Sequence, residues 1–516
     1  MEELKQVLRS EIPGFKQKGE AFLEGTLKKM DFKKYSGGFG VYAHRDGKHF
    51  MIRLRVQSGI LSKAQLCQVE ALAKSYAVPL IHLTTRQAIQ YHGVSLENIC
   101  HIMEEGLDLN LYTRGAGGNY PRNVAMSPLS GVDPKEAFDV LPYAIAANAY
   151  FLERILSYKL PRKLKISFSN HEEDTAHCTV QDLGFIAKMQ EGKPYFIVYS
   201  GGGLGKNPRA GIRFKKLYPA EDVLYILAAM VAFYEAEGNY EDPHKARVRY
   251  IADRMGDEAY EACLEGYIRE AKAKGGLDFK AEPPKYLKKG KKVELHHPAI
   301  TPQKQEGLYS YYFHPIGGQL DAGLLHEINE LIAPMEEVYG RLSMEEGIYF
   351  INLDGEEVQK VAKVLDRQNH ILPIECSSSC IGVPICQMGI VQSQKYLQEI
   401  VTYFKQKDIK DGVLPLIQIS GCTNSCGAHQ IAGIGLAGKK MKVGCTLKEV
   451  FEVFMNGSCK AYEVHLGTYM GDVSADHVAE CLYELNEKVR QSGVDFKAYV
   501  TQHEDEVKAH LAEYLR

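Results

Sequence analysis

Two stretches of the chain carry the same apolar rhythm. Leu66, Val69 and Leu72 fall at helical spacing, and Leu324, Leu325, Ile328 and Ile332 repeat the stripe further on. Each stripe follows a glycine-bearing turn: Ser58-Gly59-Ile60-Leu61-Ser62 aligns with Gly317-Gly318-Gln319-Leu320-Asp321, an offset of 259. Without a gap, Leu83 then answers Leu342, Ile89 answers Ile348 and Tyr91 answers Phe350. Both units read strand, glycine turn, amphipathic helix, strand, helix, so each is an α+β piece. In the first, VYAHRDGKHFMIRLRV predicts a hairpin turning at Asp46-Gly47.

A larger α/β segment follows each unit. Asp133-Pro134-Lys135-Glu136 predicts a helix start, with an N-cap, a proline at the first position and a nearby acid. The segment LPRKLKISFSN (160–170) resembles LPLIQISGCTN (414–424) at an offset of 254, which sets Cys422 against Phe168 and Cys426 against Glu172. Pro283, Pro284, the five lysines from Lys285 to Lys292, Pro298 and Pro302 mark 281–306 as a linker between the halves. Only the C-terminal copy carries paired cysteines, so the duplication predicts one site at a pseudo-twofold interface.

With 45% apolar and 25% charged residues, a chain of 516 residues has the make-up of soluble protein and enough length for roughly two to four domains. A net charge of −3 gives no global field toward nucleic acid or membrane. MEELKQVLRSEIPGF lacks the basic-then-apolar pattern of a signal peptide, and the longest apolar run, Val223 to Tyr234, is too short to span a bilayer. The expected setting is a reducing cytoplasm.

That setting decides how the cysteines are read. Five of the twelve lie between 376 and 426, in CSSSCIGVPIC and GCTNSC. Cys380 and Cys386 form C-x5-C, and Cys422 and Cys426 form C-x3-C. Four thiolates in two close pairs suit a cubane iron–sulfur cluster, which needs one soft ligand per iron. A structural zinc site could use the same four. A disulfide framework belongs to small domains in oxidising compartments.

The paired cysteines, GCTNSCG followed by IAGIGLAGK, LTTRQAIQYHG at 83–93 and LPRK at 160–163 together resemble the sirohaem-dependent nitrite and sulfite reductases, over roughly residues 36 to 500. The resemblance implies an internally duplicated α+β fold. Its parts are a ferredoxin-like half-domain at 1–110, a cluster-free sirohaem-type domain at 111–280, the linker, a second half-domain at 307–375 and a cluster domain at 376–516. It implies a [4Fe–4S] cluster on Cys380, Cys386, Cys422 and Cys426, with Cys426 also ligating the sirohaem iron. Cys376 is left as a small apolar neighbour. The substrate clamp implied is Arg53, Arg122, Lys163 and Lys165. Sirohaem carries eight carboxylates, and for these the resemblance implies Arg86, Gln90, His92, Arg247 and Asn424. Gly202 and Gly203, in a three-glycine run, are expected to let backbone N–H groups approach a carboxylate. Glu345 stands where the first unit has Arg86, which fits one cofactor rather than two. Family members often carry Arg after the CG of the last cysteine; here Ala428 stands there, with Gln430 the expected substitute.

Arg and Lys are ordinarily solvated surface charges, and His92 is as readily a structural histidine as a proton relay. It is the matched constellation that gives these positions a role. Sulfite reductases of the family tend to carry Lys-x-Lys where nitrite reductases carry Lys-x-Asn, and this chain reads Lys163-Leu164-Lys165. The expectation is therefore sulfite reduction to sulfide, with nitrite reduction to ammonia as the alternative; MSPLSGVDP (126–134) is closer to the nitrite branch. No flavin or nicotinamide fingerprint is evident, so electrons must come from a separate protein, a ferredoxin or a flavoprotein. The lysine run at 285–292 reads first as a solvated linker and second as a ferredoxin dock.

Overall fold

The computed structural model describes residues 1–515 except 369–371, 408, 410 and 411. Among them run four sheets of five strands. The first orders Val41–Ala43, Phe50–Arg55, Ala88–Val94, Leu80–Leu83 and then Gln319–Leu320; the third orders Ile300–Pro302, Leu308–Phe313, Ile348–Asp354, Tyr339–Leu342 and then Ile60–Leu61. The last strand of each comes from the other half. Gln319 pairs with His82 and Leu320 with Ile81, while Gly340 pairs with Leu61 and Arg341 with Ile60. This reciprocal exchange joins residues expected to form two half-domains into one core, in which Ile52 and Tyr91 share a cluster with Phe313, Ile348 and Phe350.

The offset of 259 holds through these units: Leu83 pairs with Ile89 as Leu342 pairs with Ile348. Both exchanged strands leave a left-handed turn, Ser58 at φ 49° and Gly59 at φ 74°, and Gly317 at φ 56° and Gly318 at φ 68°. Ser58 tolerates this region because Asn148 Nδ2 donates to its hydroxyl at 2.7 Å. Helices Lys63–Ser75 and Ala322–Ile332 then start on side-chain caps, Ser62 and Asp321. The hairpin at Asp46-Gly47 forms as expected, with Asp46 Oδ1 taking the Lys48 and His49 amides at 2.9 and 3.1 Å.

The other two sheets share one topology. In the second, Ala125–Met126, Ile166–Ser169 and Leu183–Gln190 are parallel, and two antiparallel strands follow; in the fourth, Ser378–Ser379, Ile417–Ser420 and Ile434–Val443 are parallel, again with two antiparallel strands after them. Strand Ile166–Ser169 matches Ile417–Ser420, an offset of 251 and not 254. Cys422 therefore faces His171 and Cys426 faces Thr175. The shared Leu-Pro pair lies in a loop, whereas the buried strand positions Ile166 and Phe168 against Ile417 and Ile419 set the register. The conclusion that the first copy lacks cluster ligands stands.

Asp133 does not start a helix; the helix is Leu141–Glu153, with proline in its first turn. The Asp133 carboxylate takes the Lys135 amide at 2.8 Å and His171 at 3.2 Å, while Glu136 is drawn to the Gly131 amide and to Lys304. Within 281–306 the lysine run lies on its own chain, Lys288 on Glu357, Lys291 on Glu356 and Lys292 on Glu306, and Ile300–Pro302 is already a strand. Among the described residues no helix is long and apolar enough to cross a membrane.

Candidate functional site

Parallel strands end on the same edge, and this edge carries the thiols. Ser379 is paired with Ile419, so Cys380 and Gly421-Cys422 emerge side by side. The Gly421 amide donates to Cys380 Sγ at 3.1 Å and the Met388 amide to Cys386 Sγ at 3.4 Å; Cys422 takes an amide from Asn424. N–H groups aimed at sulfur favour its anionic, metal-ligating form. Cys380, Cys386 and Cys422 each feel the charge of Cys426. Yet among the described residues no three Cys, His, Asp or Glu side chains gather as one metal ion would require. Three thiols acting against a fourth, Cys426, suit a thiolate-bound group. Cys376 sits apart, its thiol pushed up to about 12 by burial and by Glu375, with Tyr312 and Tyr349 the groups that feel it.

Across from Cys426 lie the cations. Arg53 comes from the strand Phe50–Arg55, and its Nη1 donates to Ala116 O at 2.8 Å; Arg122 Nη1 donates to that same oxygen at 2.8 Å and its Nη2 to Gly118 O at 2.8 Å. One carbonyl thus holds two guanidinium groups together. Lys163 and Lys165 flank Leu164, which bridges to Pro121 with its own side chain fully buried, so both ammoniums project from the opposite face. Among the described residues neither Nζ has a hydrogen-bond or ion-pair partner. Burial and the charges of Lys165, Arg247 and Arg122 hold Lys163 well below the ordinary lysine value; burial, Arg86 and Arg247 bring Lys165 to about 7. Arg122 falls to about 10 through burial, with Arg53 adding to the effect. Cys426 acts the other way on Arg53, Lys163 and Lys165, which places the thiol and the cations around one space. Asp182 is the carboxylate that acts on Lys165 and Arg86, and it is already paired with Arg247; half-buried cations crowded together beyond that one carboxylate suit an anionic ligand.

Arg86 extends the cluster. It reaches Asn123 O at 2.9 Å, Gln181 Oε1 and Ile166 O at 3.2 Å, all neutral, and the buried Nε of Arg86 and of Arg122 has no partner. These orphaned donors and the N–H···S pattern fit a polycarboxylate cofactor beside a thiolate-bound cluster. The second half does not repeat these cations. Where Arg53, Arg86 and Gln90 stand in the first unit, Tyr312, Glu345 and Tyr349 stand in the second, and the two tyrosines stack at 4.3 Å.

Several expected contacts fall elsewhere. Arg247 is buried on Asp182, at 2.9 Å from both carboxylate oxygens, so its charge is matched within the chain. The amides of Gly202 and Gly203 do not face a ligand: they donate to Gln181 O and Arg209 O, each at 2.9 Å. Glycine is needed because a Cβ would lie 2.8 Å from Gln181 O at 202 and 2.9 Å from Arg249 Nη1 at 203. Gln430 holds both backbone groups of Gly205, at 3.0 and 2.8 Å, so it does not replace the missing arginine. His92 is buried behind Gln90 and reaches Arg53 only through it. Asn424 is exposed on the cysteine loop, near Gly205.

The sequence reading passed over three neighbours. Arg249 is buried with an orphaned Nε, and only its place two residues after Arg247 signalled it. Tyr42 OH accepts from the Gly118 amide at 3.1 Å; burial alone would raise its pKa, but Arg122 and Arg53 bring it below the ordinary value. Thr85 Oγ1 donates to Cys426 O at 2.7 Å, tying the arginine turn to the cysteine loop.

Residues 42–108 match the family model described as nitrite/sulfite reductase ferredoxin-like half domain, and residues 117–272 match that of the nitrite and sulphite reductase 4Fe-4S domain. The second match falls on the first α/β copy, so it follows the repeated fold and not the cysteines themselves. The chain is 27% identical over 456 residues to a ferredoxin–nitrite reductase of Synechococcus elongatus, covering 84% of this chain and 85% of that one. It is 26% identical over 444 residues to a sulfite reductase [ferredoxin] of Mycobacterium tuberculosis, covering 83% and 74%. The solved structure of Mycobacterium tuberculosis NirA protein superposes with a TM-score of 0.80 at 22% identity, covering 98% and 97%, which shows the same fold.

Proposed function

Since the chain belongs to the nitrite and sulfite reductase family, we propose that it reduces sulfite to sulfide. A sirohaem and a [4Fe–4S] cluster, the cofactors of such an enzyme, supply single electrons and a thiolate-ligated iron on which an oxyanion can bind. Cys380, Cys386, Cys422 and Cys426 would hold the cluster, and Cys426 would also serve the sirohaem. Arg86 and Arg249 meet cofactor carboxylates with their unpartnered N–H groups. Arg53, Arg122, Lys163 and Lys165 hold the substrate, neutralise its charge and present N–H donors to the departing oxygens. Sulfite dianion takes up six electrons and eight protons and leaves as hydrogen sulfide and three waters. The electrons arrive one at a time from a separate donor protein, a ferredoxin.

The observation that carries this reading is the pair of unpartnered ammoniums on one face, Lys163 and Lys165, beside two arginines sharing one carbonyl. A dianion repays the crowding of four cations better than a monoanion does. Nitrite reduction to ammonia is the second reading, and the likeness to a ferredoxin–nitrite reductase favours it. The deciding experiment is kcat/KM for each substrate, with anaerobically purified holoenzyme and a reduced viologen dye. A preference for sulfite with sulfide as product is expected; a preference for nitrite with ammonia released would overturn the reading.

A further inference from the structure

Gln90 lies between Arg53 and His92, and the three form a chain in which each donor dictates the next acceptor. A guanidinium carries donors alone, so the Gln90 atom facing Arg53 must be the amide oxygen. That oxygen lies 2.9 Å from Arg53 Nε and 2.5 Å from Arg53 Nη2. The amide nitrogen then points the other way, 3.0 Å from His92 Nε2. An N–H facing a ring nitrogen requires that nitrogen to accept, which leaves the proton of the neutral imidazole on Nδ1.

We propose that His92 is a positioning residue for substrate binding: as the Nδ1–H tautomer it locks the Gln90 amide so that its oxygen orients the Arg53 guanidinium. The proposal rests on Arg53 holding the substrate, as argued above, and adds a residue that acts through Arg53; its own Nδ1 is buried without a partner. The lock decides which donors Arg53 has left. Nε and one N–H of Nη2 are spent on Gln90, and one N–H of Nη1 on Ala116 O. One N–H on each terminal nitrogen remains for a ligand, the pair that meets two oxygens of an oxyanion. Turning the amide would set its NH2 group against the Arg53 donors and release the guanidinium.

The surroundings of His92 maintain the neutral tautomer. His92 is 2% exposed, on the strand Ala88–Val94. Facing it are His82 from the neighbouring strand, with ring centres 6.2 Å apart, His44 from the hairpin, at 5.6 Å, and Arg53 through Gln90. Two carboxylates stand behind these rings: Glu346, at 3.7 Å from His82 Nε2, and Asp46, which acts on His44. Burial, with His82, His44 and Arg53 adding to it, holds His92 well below the ordinary histidine value. Protonation would turn Nε2 into a donor and force the amide to rotate, and a buried ring held neutral in this way keeps the lock intact at neutral pH.

The test uses the full-length holoenzyme, with KM and kcat for sulfite and for nitrite measured from pH 5.5 to 8.5. His92→Phe, which keeps volume and loses the acceptor, should raise KM about tenfold while kcat changes less than about threefold. Sirohaem absorbance and iron content should stay unchanged. His92→Gln restores an acceptor; it should return KM to within about twofold. Gln90→Leu breaks the same link from the middle and serves where the Phe variant does not fold. Arg53→Ala should raise KM, and adding His92→Phe to it should cost nothing more, because the histidine acts through the arginine. Unchanged KM in His92→Phe or Gln90→Leu, a His92→Gln variant as impaired as the Phe one, or additive losses in the double variant would each overturn the proposal. Unchanged KM in Arg53→Ala would instead overturn the substrate-clamp reading on which it rests.

Discussion

Replacing Lys165 with asparagine removes one of the two ammoniums that have no partner in the chain, and the cost should depend on the charge of the substrate. At a charge separation of roughly 4–6 Å and an effective dielectric constant of about 20, an ammonium contributes about 3–4 kcal/mol per unit of ligand charge. Water entering the space left by the shorter side chain restores roughly two thirds of that. Relief of the repulsion that Lys165 imposes on Lys163 returns a little more. The net loss is about 1 kcal/mol per unit charge, hence about 2 kcal/mol for sulfite dianion and about half that for nitrite. The sulfite-to-nitrite ratio of kcat/KM should therefore fall about fivefold. The assay is dye-driven turnover of both substrates by wild type and Lys165→Asn near pH 7, close to the value at which Lys165 carries its proton in the empty site. Sirohaem absorbance is checked first, so that cofactor loss is not mistaken for altered specificity. A ratio unchanged within about twofold would refute the argument that the second ammonium reads substrate charge.

On the proposed ligand set, in which Cys426 would serve both cofactors, Cys426→Ser should lose sirohaem absorbance and cluster iron together, whereas Cys376→Ser should keep both; iron content and visible spectra decide. Asp182→Asn leaves Arg247 buried without its counter-charge and should cost about 3–5 kcal/mol in urea unfolding of the full chain; a cost under about 1 kcal/mol would show that Arg247 finds another partner.

The parts of the fold legible in sequence were those with a long period. The 259-residue repeat rested on an amphipathic helix and two strands, where many positions vote for one register, and it holds residue for residue from Ser58 to Phe350. The second register failed by three because it was fixed on the Leu-Pro pairs at 160 and 414. A loop gains or loses residues freely, while buried alternation in Ile166–Ser169 and Ile417–Ser420 does not. The exchanged strands, Ile60–Leu61 and Gln319–Leu320, are two residues each and have no periodic signature. Site chemistry followed the same division. Cysteine spacing is local and was visible. The Asp182–Arg247 pair spans 65 residues, so nothing in the motif KARVRY shows that the first arginine is already matched and the second is not. Gly202 and Gly203 were read as letting N–H groups approach a carboxylate, but what requires glycine at 202 is Gln181 O, which the fold brings in from elsewhere, with the end of the Arg249 side chain against 203.

The duplication explains why one chain needs both halves for one site. The cations come from the N-terminal half, Arg53, Arg86, Arg122, Lys163 and Lys165, and the thiols from the C-terminal half. Neither half can form the space alone, so its geometry depends on how firmly the halves are joined. Reciprocal strands supply that join: Gln319–Leu320 extends the sheet that carries Arg53 and Gln90, and Ile60–Leu61 extends its counterpart. Gln87 adds a buried bolt, its Nε2 donating to Leu342 O at 2.6 Å and to Met126 O at 2.7 Å, one residue from Arg86. Thr85, one residue further back, reaches Cys426 O. A single turn, Thr84 to Gln87, therefore touches the cation cluster, the cysteine loop and the opposite half. In the second unit the corresponding turn carries Glu345 and Glu346, and Glu346 takes the Ser379 amide at 2.9 Å, next to Cys380. The symmetric fold thus uses one turn to hold an anion site and its twin to brace the thiol loop, which is how two equivalent units come to build a single asymmetric centre.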